Sequence, residues 1–286
     1  MPSLSPTPWQ GRLHLEFTHP SDKTILSRSE VQAPLKVQRP FYPEGAAVCH
    51  SVMLHTAGGI VGGDRLSCTT HLHPQAQVLV TTAAATKIYR SNGITAQQNT
   101  RISVAEAACL EWLPQETIVF DGAIYRQNLR VELAANATWI GWDITRLGRS
   151  ARGEQFLSGE WRSRTEVWQG DRLLWVDPQY LIGGSEMLQS DPGLAGYPVI
   201  ASFAFIKQPI PKELLEKVRG FSPIPPFPHL PVPASETGVT RLTSGLLCRY
   251  RGNSTSEARH WFIQVWQLLR HEYLGRSICI PRVWQM

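Results

Sequence analysis

The sequence predicts a mainly β protein of many short, largely antiparallel strands, with a small C-terminal helical part of one long and one short helix. Three observations predict it. Apolar and polar residues alternate with period two in block after block, 22 glycines and 21 prolines punctuate 286 residues, and helical spacing is confined to the last third of the chain. Successive strand residues face opposite sides of a sheet, whereas a helix repeats every 3.6 residues, so the two patterns are distinguishable. Glycine and proline at this density favour turns and short elements over long helices.

The alternating blocks cover 12–17, 65–72, 77–82, 109–113, 125–133, 138–143 and 172–176. In the second of them Leu66, Cys68, Thr70 and Leu72 fall on one face and Ser67, Thr69 and His71 on the other, which describes a strand with one side buried. Ser91-Asn92-Gly93, Asp121-Gly122 and Gln169-Gly170-Asp171 are turn signals, and between alternating blocks they favour hairpins over βαβ units. A short helix is expected over 211–218, opened by Pro211, apolar at Leu214, Leu215 and Val218, and closed by Gly220. The segment 222–233 then carries six prolines in twelve residues, an extended loop or linker within a single unit spanning 1–286. The long helix is expected over 257–274, where Ala258, Trp261, Phe262, Val265, Leu268, Leu269 and Tyr273 follow 3–4 spacing and Gly275 supplies the stop.

Composition narrows the function classes. An apolar fraction of 42% against 18% charged residues excludes a disordered chain. The net charge of +5 and a pI near 9.1 invite a nucleic-acid partner. No basic run supports one, because Arg146, Arg149, Arg152, Arg162 and Arg164 are interleaved with Asp143, Glu154 and Glu160. Of the 28 basic residues 22 are arginine, whose planar donor fork suits protein interfaces. The five cysteines are odd in number and form no CxxC pair, which points to a reducing, cytoplasmic setting. The N-terminus lacks the basic start and apolar stretch of a secretory signal, and no window approaches the roughly 18 apolar residues of a membrane span, so no membrane partner is expected.

Candidate chemistry concentrates in a few places. The segment 55–64, HTAGGIVGGD, has four glycines in six positions and permits close backbone approach. It lacks the Gly-Lys-Ser/Thr of a P-loop and the spacing of a dinucleotide fingerprint, and a strand follows it instead of a helix. Two readings stay open there: a glycine turn at a sheet corner, or a site using His55 and Asp64, which would make the chain a cytosolic hydrolase. His71 and His73 share one strand face, but no carboxylate or cysteine lies within two residues to complete a metal site, so a solvated face is expected. No Gly-x-Ser-x-Gly elbow and no His-Glu-x-x-His motif occurs.

The glycine segment gains meaning from the blocks that follow it: LVTTAAATKIYR at 79–90, LEWLPQETIVFDGA at 110–123, LGRSARGEQF at 147–156 with Gly159, and PRVW at 281–284. In order and spacing these five blocks resemble the urease accessory protein family called UreD in most bacteria and UreH in some, from about Gly11 to Trp284. The resemblance implies a mainly β, non-catalytic maturation factor for the nickel enzyme urease. It implies binding to the urease apoenzyme and to UreF, through which the GTPase UreG is recruited, with delivery of nickel as the outcome and no tightly bound cofactor. A protein that hands on nickel should offer weak oxygen or nitrogen ligands, because a closed thiolate site would trap the ion. Asp64, Thr82, Asp143 and Asp177, with His55 and Glu154, are therefore expected on or near a transient nickel path. The alternative for Thr82 and Asp143 is that they satisfy buried backbone groups, and in a purely structural adaptor without a nickel path the carboxylates would do only structural work. Trp266, Arg282, Trp284 and the proline-rich segment are expected at the UreF contact, since aromatic and arginine anchors are enriched at interface hot spots.

Overall fold

The computed structural model describes residues 8–149, 152–223 and 235–284. In chain order the strands are β1 (Gln10–Thr18), β2 (Ile25–Gln32), β3 (Leu35–Val37), β4 (Val48–His55), β5 (Arg65–Leu72) and β6 (Gln77–Thr82). They continue as β7 (Thr86–Ile88), β8 (Ala96–Val104), β9 (Cys109–Trp112), β10 (Thr117–Val119), β11 (Ile124–Leu133) and β12 (Thr138–Leu147). The last are β13 (Glu160–Gln169), β14 (Arg172–Ile182), β15 (Val199–Ile206), β16 (Glu236–Leu242) and β17 (Gly245–Gly252), with helices α1 (Lys212–Arg219) and α2 (Thr255–Leu274). The mainly β class and the short and long late helices are as the sequence predicts.

Two sheets result. One runs β14-β13-β11-β8-β5-β1-β2; the other runs β16-β17-β15-β12-β9-β6-β4-β3, with β10 and β7 continuing the lanes of β9 and β6. From β4 to β13 the chain alternates between the sheets, one strand in each per circuit, so neighbours within a sheet lie parallel. This corrects the antiparallel expectation. Among the described residues nine of fifteen strand pairings are parallel, and antiparallel pairs are confined to the flanks. The turn signals at Ser91-Asn92-Gly93 and Asp121-Gly122 are real, but they carry the chain across to the other sheet; only Gln169-Gly170-Asp171 folds a strand back, joining β13 to β14.

Burial follows the layers. Strand β5 shows the expected alternation, with Leu66, Cys68, Thr70 and Leu72 buried. Strands β12 and β15 are buried on both faces, because the second sheet packs on the first sheet with one side and on the helices with the other. On the helical side, Ile140, Trp142 and Phe203 meet Trp261, Phe262 and Leu269 of α2 and Leu214, Leu215 and Val218 of α1. Helix α2 begins where the Ser254 hydroxyl accepts the Glu257 amide at 3.2 Å and ends at Gly275 in the left-handed conformation. Of the proline-rich segment 222–233, residues 224–233 lie outside the described residues.

One corner glycine carries a test. Gly159 has φ +98°, and an added Cβ would collide with the Ala123 carbonyl oxygen, which accepts the Glu160 amide at 2.8 Å. Gly159→Ala is expected to destabilise the fold by about 3 kcal/mol, read as a lower urea midpoint with an unchanged slope.

Candidate functional site

Parallel stacking aligns inward residues from strands far apart in sequence. On the inner face of the seven-stranded sheet, Gln98, Gln127, Ser163 and Gln179 form one rung, and Thr100, Leu129, Thr165 and Asp177 form the next. The rungs on either side are apolar: Ala96, Tyr125, Trp161 and Leu181 on one, Ile102, Val131, Val167 and Trp175 on the other. A polar belt therefore divides the apolar space between the sheets into two clusters. Facing it from the second sheet are Asp143 and Thr145 of β12, with Ser202 of β15 in register with Asp143. The belt lines a cavity of about 80 Å³ together with Trp112, Trp139, Trp161 and Trp175, room for several waters at roughly 10–15 Å³ each.

Asp143 is the centre of the belt. Gln127 Nε2 donates to its Oδ2 at 2.9 Å and Ser163 Oγ at 3.2 Å, while Thr145 Oγ1 donates to Oδ1 at 3.1 Å. Burial pushes its pKa above the usual carboxylate range, and the Asp177 charge nearby adds to the rise against those three hydrogen bonds. Asp177 has a cationic partner: Arg249 Nη2 donates to its Oδ1 at 2.8 Å and Gln179 Nε2 donates at 2.6 Å. Arg249 reaches from β17 and also approaches Ser202 Oγ at 3.5 Å, so a half-exposed guanidinium stands beside two of the residues that line the cavity.

The other end opens where two neighbouring lanes of the second sheet break at the same level. The lane of β6 and β7 is interrupted at Ala83-Ala84-Ala85, and that of β9 and β10 between Leu113 and Glu116. Thr82 Oγ1 bridges the breaks, accepting the Gln115 amide at 2.9 Å and donating to the Ala84 carbonyl at 3.3 Å. Helix α2 and the strand behind it hold the gap in shape, through an Arg259–Glu116 ion pair and through Trp142 Nε1 donating to the Pro114 carbonyl at 2.7 Å. A second cavity of about 460 Å³ begins here and reaches exposed Gly58, Ala84 and Lys87 beside His55. The two cavities share Met53, Thr82, Thr86, Gln98, Thr100 and Trp112.

Of the expected site residues, the structure brings Thr82, Asp143 and Asp177 to the belt and His55 to the outer cavity. Burial lowers the His55 pKa, opposed by the nearby Asp64 charge, and its Nε2 is a buried atom with no hydrogen-bond partner among the described residues. Asp64 does not line either cavity. Its carboxylate accepts the Trp9 amide at 2.8 Å and the Val61 amide at 3.0 Å, so it ties the glycine segment to the N-terminal strand. Glu154 lies elsewhere, paired with Arg149 and accepting the Asp121 amide at 3.0 Å. Both are the structural carboxylates of the alternative reading.

Among the expected partner contacts, Trp266 is corrected. It is fully buried and donates from Nε1 to Glu111 Oε2 at 2.5 Å, because the apolar face of α2 is wide enough to sink both Trp261 and Trp266. Trp284 is half-buried, donates to Thr81 Oγ1 at 2.9 Å and lies 5.2 Å from the Trp142 ring, while Arg282 is exposed. Residues of the belt that sequence reasoning missed include Gln98, Thr100, Gln127, Ser163, Ser202 and Arg249. Their signal was a polar residue on the inward side of an otherwise apolar alternation.

The family profile described as UreD urease accessory protein matches residues 10–285. Among curated proteins, the chain is 58% identical over 278 residues to a protein named urease accessory protein UreD from Nostoc punctiforme, covering 97% of this chain and 96% of that one. It is 52% identical over 279 residues to the protein of the same name from Acaryochloris marina, with 97% and 96% covered. It is 41% identical over 263 residues to that of Synechocystis sp., with 92% and 95% covered.

Proposed function

Since the chain belongs to the UreD family of urease accessory proteins, we propose that its part in urease maturation is to conduct nickel through the polar belt and to hold the apoenzyme and its other accessory proteins together. The observation that carries this reading is the pair of cavities that share the Thr82 neck and lead from exposed Lys87 and Gly58 to Asp143 and Asp177. Their polar lining is hydroxyl, amide and carboxylate oxygen, with a histidine at the outer end. Such donors bind a borderline divalent ion weakly enough to release it. Cys68 lines the outer cavity as its one cysteine, and a single sulfur among oxygen donors does not make the closed thiolate site that would trap the ion.

On this reading nickel enters beside His55, passes Thr82 and meets paired carboxylates, and Arg249 covers the far end until a partner draws it from Asp177. UreF, with UreG recruited through it, and the urease apoenzyme are the proposed partners. The outward face of the seven-stranded sheet is a proposed partner surface: Arg65, Arg101, Arg126, Arg130, Arg162 and Arg164 lie on it in neighbouring strands, the last three paired with Glu132, Glu160 and Glu166. Arg282 at the C-terminal end is the remaining expected contact that is exposed.

The test is coexpression of urease with its accessory proteins, with this chain present, absent or altered. Omitting the chain should leave urease without nickel. Thr82→Leu fills the neck and is expected to lower urease nickel content severalfold while the accessory complex still assembles, and Thr82→Ser should restore it. Normal nickel content with Thr82→Leu would leave the chain as an adaptor alone.

A further inference from the structure

Away from the belt, three donors from distant parts of the chain meet beneath the C-terminal segment. Glu44 precedes β4, His50 lies within it, and Cys279 follows α2; one ligand atom of each lies within 4.8 Å of the other two. His50 is only 4% exposed, and its Nε2 is 2.6 Å from Glu44 Oε1. On its far side Glu44 is held by the fully buried Arg270, whose Nη2 donates to both carboxylate oxygens at 2.8 and 2.7 Å. Arg270 is itself fixed by Glu111 and by the Ser277 carbonyl, which its Nη1 reaches at 2.9 Å. Outer partners of this kind orient a metal-ligating carboxylate. The histidines at 14, 71 and 73 provide a contrast. They gather near Glu16, but among the described residues their ligand atoms do not converge as those of the other trio do.

We propose that Glu44, His50 and Cys279 form a binding site for a divalent transition-metal ion of borderline softness, of the zinc or nickel(II) class, that fastens the C-terminal segment to β4. One oxygen, one nitrogen and one sulfur donor suit that class and not calcium or magnesium. Three protein ligands leave a fourth position for water, so the ion is exchangeable, unlike one in a closed structural site. Metal–ligand bonds of about 2.0–2.3 Å require the His50–Glu44 pair to part by less than 1 Å. With a neutral imidazole, binding moves the ring proton from Nε2 to Nδ1, and the thiol proton of Cys279 leaves to solvent: one divalent ion enters and one proton departs. Cys279 is faced by Glu44, Glu111 and His50 and by the cationic Arg270. Because the thiol gives up its proton on binding, affinity is expected to rise with pH. The site does not depend on the nickel route through the belt and is tested without urease.

The experiment titrates the purified full-length chain with cobalt(II), then displaces it with zinc. The expected result is a thiolate-to-metal charge-transfer band at one equivalent, lost in Cys279→Ser, which should also weaken zinc binding at least tenfold. Metal should slow hydrogen exchange across residues 276–284 in the native chain and not in Cys279→Ser. Glu44→Gln is the second variant, expected to keep the band but weaken affinity. A native chain without a thiolate band, or a band unchanged in Cys279→Ser, would overturn the proposal while leaving the maturation reading untouched.

Discussion

Replacing Arg270 with alanine is expected to destabilise the protein by about 3–5 kcal/mol, the cost of stripping the partner from buried charge, and to move most of the expressed chain into the insoluble fraction. The guanidinium is fully buried on α2 and bridges the carboxylates of Glu44, from the loop before β4, and Glu111, from β9. Removing it leaves two buried carboxylates without their shared cation, with His50 on Glu44 and with Trp266 and the half-buried Arg276 on Glu111 as the remaining partners. Lysine should not rescue the variant, because one ammonium cannot supply the forked geometry that spans both acids. An exposed pair such as Arg28–Glu30 offers the control, where solvent screening leaves little to lose. Denaturant midpoints of soluble protein decide the case; equal losses at the two sites would refute it. The same cluster fixes the acid limit. Burial alone would raise the Glu44 pKa, but the His50 hydrogen bond and the Arg270 charge hold it below the ordinary 4.5. A depressed carboxylate contributes stability that is complete above its ordinary value and is lost as pH falls through the folded one. Acid unfolding is thus expected below about pH 4.5.

Asp143→Asn is expected to act in opposite directions on stability and function. The folded protein raises the pKa of Asp143 through burial, so the ionised carboxylate opposes folding at neutral pH. What a raised carboxylate contributes is present below its ordinary value and is lost as pH rises through the folded pKa. Asparagine keeps an acceptor for Gln127 and Ser163, offers its amide to Thr145 Oγ1, and carries no charge. The melting temperature at pH 7 should rise by about 2–4 °C, with the gain disappearing in acid where the native carboxyl is already protonated. Urease matured with this variant should contain severalfold less nickel although the complex assembles. Full nickel content beside a raised melting temperature would make Asp143 a structural group and remove it from the path.

The legible part of the fold was the part with one wet face. Strand β5 showed its alternation, whereas β15, Val-Ile-Ala-Ser-Phe-Ala-Phe-Ile, is buried on both faces and reads as a short apolar run that periodicity alone does not assign. Strand direction was misread for a physical reason. A glycine turn that crosses to a second sheet and one that closes a hairpin use the same residues, and only the long-range pairing distinguishes them. The site divides similarly. Thr82, Asp143 and Asp177 stand in the belt, but their partners Gln98, Gln127 and Ser163 come from separate circuits, and nothing local in the sequence aligns them. Asp64 and Glu154 looked equivalent to these three until the structure placed backbone amides and Arg149 on their oxygens. His71 and His73 lacked a carboxylate in sequence, and Glu16 supplies one from the adjacent parallel strand, in register with His71.

The rung geometry makes the belt a counting device. Each circuit contributes its inward pair only if the number of residues since the last corner is right, so an insertion of a single residue at the start of β11 would turn Gln127 and Leu129 to solvent and bring Asn128 and Arg130 indoors. A guanidinium would then stand opposite Asp143 and neutralise it. Length variation in this protein is therefore tolerable at the corners and forbidden within the circuits, and lineages should differ in loop size while keeping the strand spacing unchanged.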